Sequence, residues 1–172
     1  TGQSDAYTVQ IDSGPPTSSI TSPANNSMVS GPSVTVQGSA SDAGSGVQSV
    51  DVSTNGGASW STAGGATSWT YTWSVPGDGV YNLRSRARDN RGYVETPGPG
   101  ITVTVDSAPP VTLIRTPVNG QTITSTTYLI TGTAFDATAG VQRVEVSLNN
   151  GASWTTATGT TTWSYLWTPA GQ

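Results

Sequence analysis

Short runs of apolar residues separated by polar ones recur along the chain, with turn residues between them. Residues 47–53 space valines with polar side chains, which predicts a half-buried strand. Asn55, Gly56 and Gly57 follow, and these residue types tolerate the positive φ of a tight turn. Trp60 then opens a returning strand. The pattern predicts a β-hairpin with an aromatic anchor.

This hairpin is written twice. Residues 47–60 return as residues 141–154, 94 positions later. The predicted turn and anchor residues are Asn55, Gly57 and Trp60 in the first copy and Asn149, Gly151 and Trp154 in the second. A period of this length is the size of one β-sandwich, so the chain is predicted to hold repeated units rather than one large domain.

The first complete unit is predicted to consist of seven short strands. They cover residues 18–22, 33–41, 47–53, 60–63, 69–73, 80–89 and 101–105. Gly64 and Gly65 are expected to end the fourth of these strands. Short strands with turn residues at regular intervals are typical of an all-β Greek-key sandwich.

The period also predicts the domain boundaries. Residues 7–12 align on residues 101–106. Residues 1–12 are therefore interpreted as the closing strand of a preceding repeat, residues 13–106 as a complete repeat, and residues 107–172 as a second repeat that lacks its last two strands. Paired prolines before each repeat favour an extended, stiff linker. Either the segment was cut from a longer array, or the open edge is filled by another chain. Tyr7, Val9 and Ile11 are the candidate strand-exchange residues.

Composition narrows the possible chemistry. The chain has no His and no Cys, which removes Ser-His and Cys-His dyads, disulfides and the usual nitrogen and sulfur metal ligands. Acidic residues are expected at loop ends or exposed strand positions, so no paired carboxylates for glycoside hydrolysis are predicted. A net charge of −4 argues against nucleic-acid binding. The sequence contains no run of 18 apolar residues, so it predicts no membrane-spanning helix. The sequence therefore predicts a protein that is not an enzyme.

Several motifs resemble the immunoglobulin-like tandem repeats of large bacterial surface and secreted proteins. They lie at residues 22–25, 38–42, 86–92 and 105–110. The resemblance implies tandem immunoglobulin-like β-sandwiches in an extracellular or cell-surface setting. The hairpin is also similar to the Asp-box of sialidases, a structural turn, and together with residues 86–92 to the dimerisation domain of sulfite oxidases. Neither likeness implies catalysis here.

Aspartates at one end of the sandwich form the candidate metal site. In this topology the entering linker and the loops after the second and sixth strands meet, which predicts that Asp12, Asp42 and Asp89 lie together, with Asn90 or Glu95 nearby. Asp106 and Asp136 are the equivalent candidates at the second joint. Oxygen ligands suit calcium. The alternative is that these aspartates cap turns.

Two further patterns have both a functional and a structural interpretation. Trp69, Tyr71 and Trp73 share one strand face and could stack on sugars, but core packing is favoured. Arg84, Arg86 and Arg88 could meet an anionic partner, but pairing with Asp51 across the sheet is favoured.

The sequence as a whole predicts a structural or adhesive repeat segment of a bacterial stalk, adhesin or fibre. Its expected partners are neighbouring repeats and other copies of the protein. The alternative is a carbohydrate-binding or accessory module of a secreted enzyme, with a glycan as ligand.

Overall fold

The computed structural model describes residue 9 and residues 11–169 of the 172-residue chain. The chain divides into two compact units between Ser107 and Ala108. Every regular element of the described residues is a β-strand, which confirms the predicted all-β fold. Within the described residues there is no helix of the length and apolarity that crossing a membrane requires.

The first unit is a sandwich of two sheets. Its strands are β1 (Thr17–Ser22), β2 (Ser27–Val29), β3 (Ser33–Ser41), β4 (Val47–Ser53), β5 (Ser61–Thr62), β6 (Gly64–Gly65), β7 (Ser68–Ser74), β8 (Gly79–Asp89) and β9 (Ile101–Val105). One sheet has the order β1-β3-β7-β6 and the other β2-β9-β8-β4-β5. Strands β2 and β9 run parallel, whereas the other neighbours in these two sheets are antiparallel.

Apolar and polar residues alternate along the strands, and the apolar ones form the core of this unit. Val36 and Trp69 point inward from the first sheet, and Val50, Leu83 and Val103 point inward from the second. All five side chains are almost fully buried. Because side chains alternate between the faces of a strand, the intervening polar residues stay at the surface.

The second unit repeats part of this plan. Its strands are β10 (Val111–Thr116), β11 (Tyr128–Phe135), β12 (Glu145–Val146), β13 (Thr155–Thr156), β14 (Thr158–Gly159) and β15 (Thr162–Trp167). The order β10-β11-β15-β14 matches the first sheet of the first unit, and β12 pairs with β13. A smaller core contains Ile130, Ala134, Val144, Val146, Ala157 and Trp163.

The second unit exposes positions that the first unit packs. Ile20 packs against the core of the first unit, whereas its counterpart Ile114 is 55% exposed. In the first unit, Leu83 of β8 and Val103 of β9 are fully buried in that core. The described residues of the second unit, 108–169, contain no counterpart of either strand.

Three details of the predicted strands differ from the structure. Strand β2 was not predicted, because it has only three residues and its Met28 is exposed, so it lacks an apolar pattern. Gly64–Gly65 does not simply end a strand, because it pairs with β7 as a strand of its own. In the second unit, the counterpart of β4 forms a strand only over Glu145–Val146, where it pairs with β13. In the first unit, β8 pairs with β4 along most of its length.

Candidate metal centre

Three aspartates meet at one end of the first unit. Asp12 precedes β1, Asp42 follows β3, and Asp89 is the last residue of β8. One carboxylate oxygen from each lies within 4.8 Å of the others. The structure thus places together the three residues that the sequence analysis grouped as a metal site.

Asp89 is the buried member of this cluster, with 0% of its surface exposed. Its Oδ1 accepts hydrogen bonds from the backbone N–H groups of Arg91, at 2.9 Å, and Tyr93, at 2.8 Å. Its Oδ2 is buried and has no hydrogen-bond partner in the described part of the chain. Asp89 lies where β8 ends and the next loop begins, as the sequence analysis expected for an acidic residue, but its side chain is buried.

Asp42 and Asp12 are held by the loop between β3 and β4. Asp42 Oδ2 accepts from the N–H groups of Gly44, at 3.0 Å, and Gly46, at 2.7 Å. Asp12 Oδ2 accepts from the N–H of Ser45, at 2.9 Å. A Cβ on Gly44 would clash with the side chain of Asp12, so the close approach of these two segments requires glycine.

The environment of Asp12 favours its charged form. The side chain of Ser45 has the largest effect, and the backbone N–H groups of Gly14 and Ser45 add to it. Together they outweigh desolvation and hold the pKa of the Asp12 carboxyl below its ordinary value. Asp12 therefore brings a negative charge to a cluster that already holds two other carboxyl groups.

The two additional candidates near this cluster have other partners. The Asn90 side chain donates to the carbonyl oxygens of Ser45, at 2.8 Å, and Gly46, at 3.2 Å, and so fixes the loop that carries Asp42. Glu95 accepts from Ser18 and Ala87 and joins β1 to β8. Its carboxylate is committed to these strands rather than to the three aspartates.

Asp136, the counterpart of Asp42, caps its own loop. Its Oδ1 accepts from the N–H groups of Thr138, Ala139 and Gly140 at 2.8–3.0 Å. These bonds, led by that of Thr138, hold the pKa of Asp136 below its ordinary value. Asp106 directly follows β9, and its N–H donates to the carbonyl oxygen of Val29 in β2. A calcium site at Asp106 and Asp136 stays a prediction.

The repeated hairpin is closed by its own hydrogen bonds. The Ser53 hydroxyl donates to Asn55 Oδ1, at 2.9 Å, and accepts from the Gly57 N–H, at 2.8 Å. Asn55 Oδ1 also accepts from the Ser59 N–H. The role of Ser53 was not predicted, although a serine two residues before the turn asparagine recurs as Ser147 before Asn149. The polar side chains of the turn therefore bond to other groups of the same hairpin, which indicates a structural role for the turn.

The tryptophan after the turn differs between the two copies. Trp60 donates from Nε1 to the Gly57 carbonyl, and the Arg86 guanidinium lies 4.4 Å from the centre of its ring. Arg86 in turn pairs with Asp51 at 3.1 Å, so Trp60 is fixed to the β4-β8 face. Trp154 is 60% exposed. Trp60 is therefore held against the sheet, whereas anchoring of the second hairpin by Trp154 stays a prediction.

The candidate strand-exchange residues lie at the start of the chain. Tyr7 lies outside the described residues. Val9 and Ile11 are 81% and 82% exposed and are not in a strand.

The comparisons with known proteins support an immunoglobulin-like sandwich. The chain is similar to the fibronectin(III)-like modules of CbhA from Clostridium thermocellum, with 19% identity, a TM-score of 0.51, and coverage of 90% of this chain and 80% of that chain. At this identity the likeness shows the fold alone. A comparison with curated proteins finds no match.

The sulfane dehydrogenase SoxCD from Paracoccus pantotrophus shares 30% identity over 47% of this chain and 23% of that chain. Its TM-score of 0.39 is too low to support a structural or functional argument.

The match to a protein family covers both units. Residues 16–84 and 109–172 match the bacterial Ig domain family, which is more than half of the chain. Domains of this kind are typically non-catalytic and occur in extracellular or surface proteins. The two matches correspond to the two sandwich units and confirm the resemblance seen in the sequence motifs. The chain belongs to the bacterial Ig domain family.

Proposed function

We propose that this chain is a non-catalytic structural and adhesive segment of an extracellular bacterial stalk, adhesin or fibre. Two sandwich units follow one another, and each is preceded by a proline pair, Pro15-Pro16 or Pro109-Pro110. Proline fixes φ, so these linkers have few conformations to lose when the array is extended. The family setting supports an extracellular or surface location.

The burial of the aromatic strand is the observation that carries this proposal. Trp69 and Trp73 are 1% and 3% exposed, and Tyr71 packs against the same core. Trp163 is equally buried in the second unit. A sugar-stacking platform needs exposed aromatic faces, whereas these side chains are used to hold the two sheets together. This favours a structural role over a carbohydrate-binding one.

The alternative is a carbohydrate-binding or accessory module of a secreted enzyme. The observation in its favour is Trp154, a residue that is 60% exposed beside the hairpin turn. We expect the full chain to show no saturable binding on an array of bacterial and plant-cell-wall glycans. A glycan bound by the wild type and lost in Trp154→Ala, with Thr155→Ala as the matched neighbour control, would replace the structural function with the accessory one.

Assembly by strand complementation is the finer part of the proposal. The second unit has an open groove of about 1020 Å³ whose mixed lining includes the apolar side chains of Leu113, Ile114 and Val146. The proposed occupant is the segment 7–12 of a second copy, because it aligns on the segment 101–106 that contains β9.

Sedimentation velocity of the full chain at rising concentration tests the proposed assembly. We expect oligomers that grow with concentration and weaken in Val9→Asp, whereas Ser13→Asp, a charge introduced just outside the segment, should leave them unchanged. A strictly monomeric species at millimolar concentration would remove strand complementation, and the structural function would stand without it.

A further inference from the structure

We propose that Asp12, Asp42 and Asp89 bind one divalent cation, calcium by preference, and that this ion fastens the entering segment to the first unit. The proposal goes beyond the structural function. It stands on two independent observations, which are the convergence of three carboxylates from separate segments and the unpartnered buried oxygen of Asp89.

The buried oxygen is the stronger of these observations. Asp89 is fully buried, yet its Oδ2 has no donor within the described residues, while Oδ1 is satisfied by two backbone N–H groups. A buried carboxylate oxygen without a partner carries the full cost of its lost hydration. Since Oδ2 belongs to a residue of the three-carboxylate cluster, a cation bound there would supply the missing partner.

The spacing of the cluster fits an ion. Calcium binds oxygen at about 2.3–2.6 Å, so two of its ligands on opposite sides are about 5 Å apart. The three carboxylate oxygens lie within 4.8 Å of one another, which allows all three to reach one central ion. The ion pairs of the described residues, Arg86 with Asp51 and Arg143 with Glu145, do not include the three aspartates, and Arg91 lines the same surface pocket as Asp12 without forming an ion pair with it.

The ligand chemistry favours calcium over other metals. The three side chains offer only oxygen, which suits hard cations and disfavours zinc or copper. They come from a linker, a loop and a strand end, and such an irregular set suits the flexible geometry of calcium better than the strict octahedron of magnesium. Water molecules would complete the coordination.

The surrounding loop is already arranged for this role. Gly44 and Gly46 N–H groups fix Asp42, and the Asn90 side chain fixes the loop through Ser45 and Gly46. Gly44 leaves the space into which Asp12 fits. An ion shared by all three carboxylates would therefore tie the segment before Pro15 to two loops of the sandwich body.

The first test is calcium titration of the full chain after removal of metals with EDTA. Isothermal titration calorimetry should show saturable binding with a Kd between about 1 µM and 1 mM, the range of sensor and extracellular sites. Calcium at 100 times the Kd should raise the Tm of the first unit by about 5 °C or more. Magnesium should bind at least 10-fold more weakly. Absence of both heat and stabilisation with calcium would overturn the proposal.

Variants locate the ion. Asp12→Asn and Asp42→Asn change partly exposed positions and should each weaken calcium binding at least 10-fold, and Asp89→Asn should abolish it. Asp51→Asn is the control, because it removes one carboxylate of the same unit outside the cluster. If Asp89→Asn does not fold, the first two variants decide. Calcium binding that is unchanged in both would show that the ion binds elsewhere and would contradict the proposal.

The same variants separate this inference from the proposed function. Loss of calcium binding leaves the burial of Trp69 and Trp73, and hence the expected absence of glycan binding, unchanged. Conversely, a glycan ligand at Trp154 would revise the function and leave the calcium titration as predicted.

Discussion

Replacing Gly38 with alanine is expected to lower the free energy of unfolding of the first unit by about 3 kcal/mol. A Cβ at this position would clash with the carbonyl oxygen of Ser19 and with Cζ2 of Trp69. The first is backbone of the neighbouring strand β1, and the second is a buried ring that cannot swing away. One added methyl group must therefore either separate β1 from β3 or displace Trp69 from the core.

Urea unfolding of the full chain, followed by tryptophan fluorescence, measures this loss. Gly98→Ala is the matched control, because a Cβ there meets no atom within 4 Å. Equal unfolding midpoints for the two variants would show that the close packing of Gly38 against Trp69 is not needed. The second unit offers an internal repeat of the experiment, since a Cβ on Gly132 would clash with Trp163 and Leu113 in the same way.

Replacing Glu95 with glutamine is expected to lower the free energy of unfolding of the first unit by about 2 kcal/mol, because charged hydrogen bonds that join β1 and β8 are lost. Glu95 Oε1 accepts from the Ser18 N–H at 2.9 Å, and Oε2 accepts from the Ser18 hydroxyl at 2.6 Å and the Ala87 N–H at 2.9 Å. An amide in place of the carboxylate removes the charge and turns an NH₂ group toward a donor.

Thermal unfolding measured by circular dichroism tests this effect. Glu145→Gln makes the same chemical change at an exposed residue paired with Arg143, and it should alter the Tm little. If Glu95→Gln and Glu145→Gln have the same small effect, the carboxylate of Glu95 does not fasten the two sheets of the first unit. The double variant with Ser18→Ala is expected to lose somewhat more stability than Glu95→Gln alone, since Ser18→Ala also removes the hydrogen bond between the hydroxyls of Ser18 and Ser85 at 2.8 Å.

The sequence predicted the parts of the fold that repeat an apolar pattern. The alternation in residues 33–41 and 80–89 matches β3 and β8 to within one residue, because burying one face of a strand requires that alternation. The pairing of Arg86 with Asp51 also agrees with the favoured interpretation of the arginine ladder, since the two residues are directly opposite on β8 and β4.

The sequence could not predict features that depend on where a strand ends in three dimensions. Nothing in the pattern separates Asp89, which is fully buried, from the exposed Arg88 before it, except that it continues the inward face of β8. Glu95 was grouped with the aspartates by position along the chain, but a bridge between Arg88 and Val94 directs it toward β1 instead. Such outcomes depend on tertiary packing rather than on local residue pattern.

The parallel pair of β2 and β9 has a consequence for how the first unit responds to mechanical load. These strands lie near the entry and the exit of the unit and are joined in register from Ser27 with Val103 to Val29 with Val105. Tension applied between the two ends pulls parallel neighbours in opposite directions along their length. The hydrogen bonds of the pair, extended by Asn26 N–H to the Thr102 carbonyl, then bear the force together in shear rather than opening one after another.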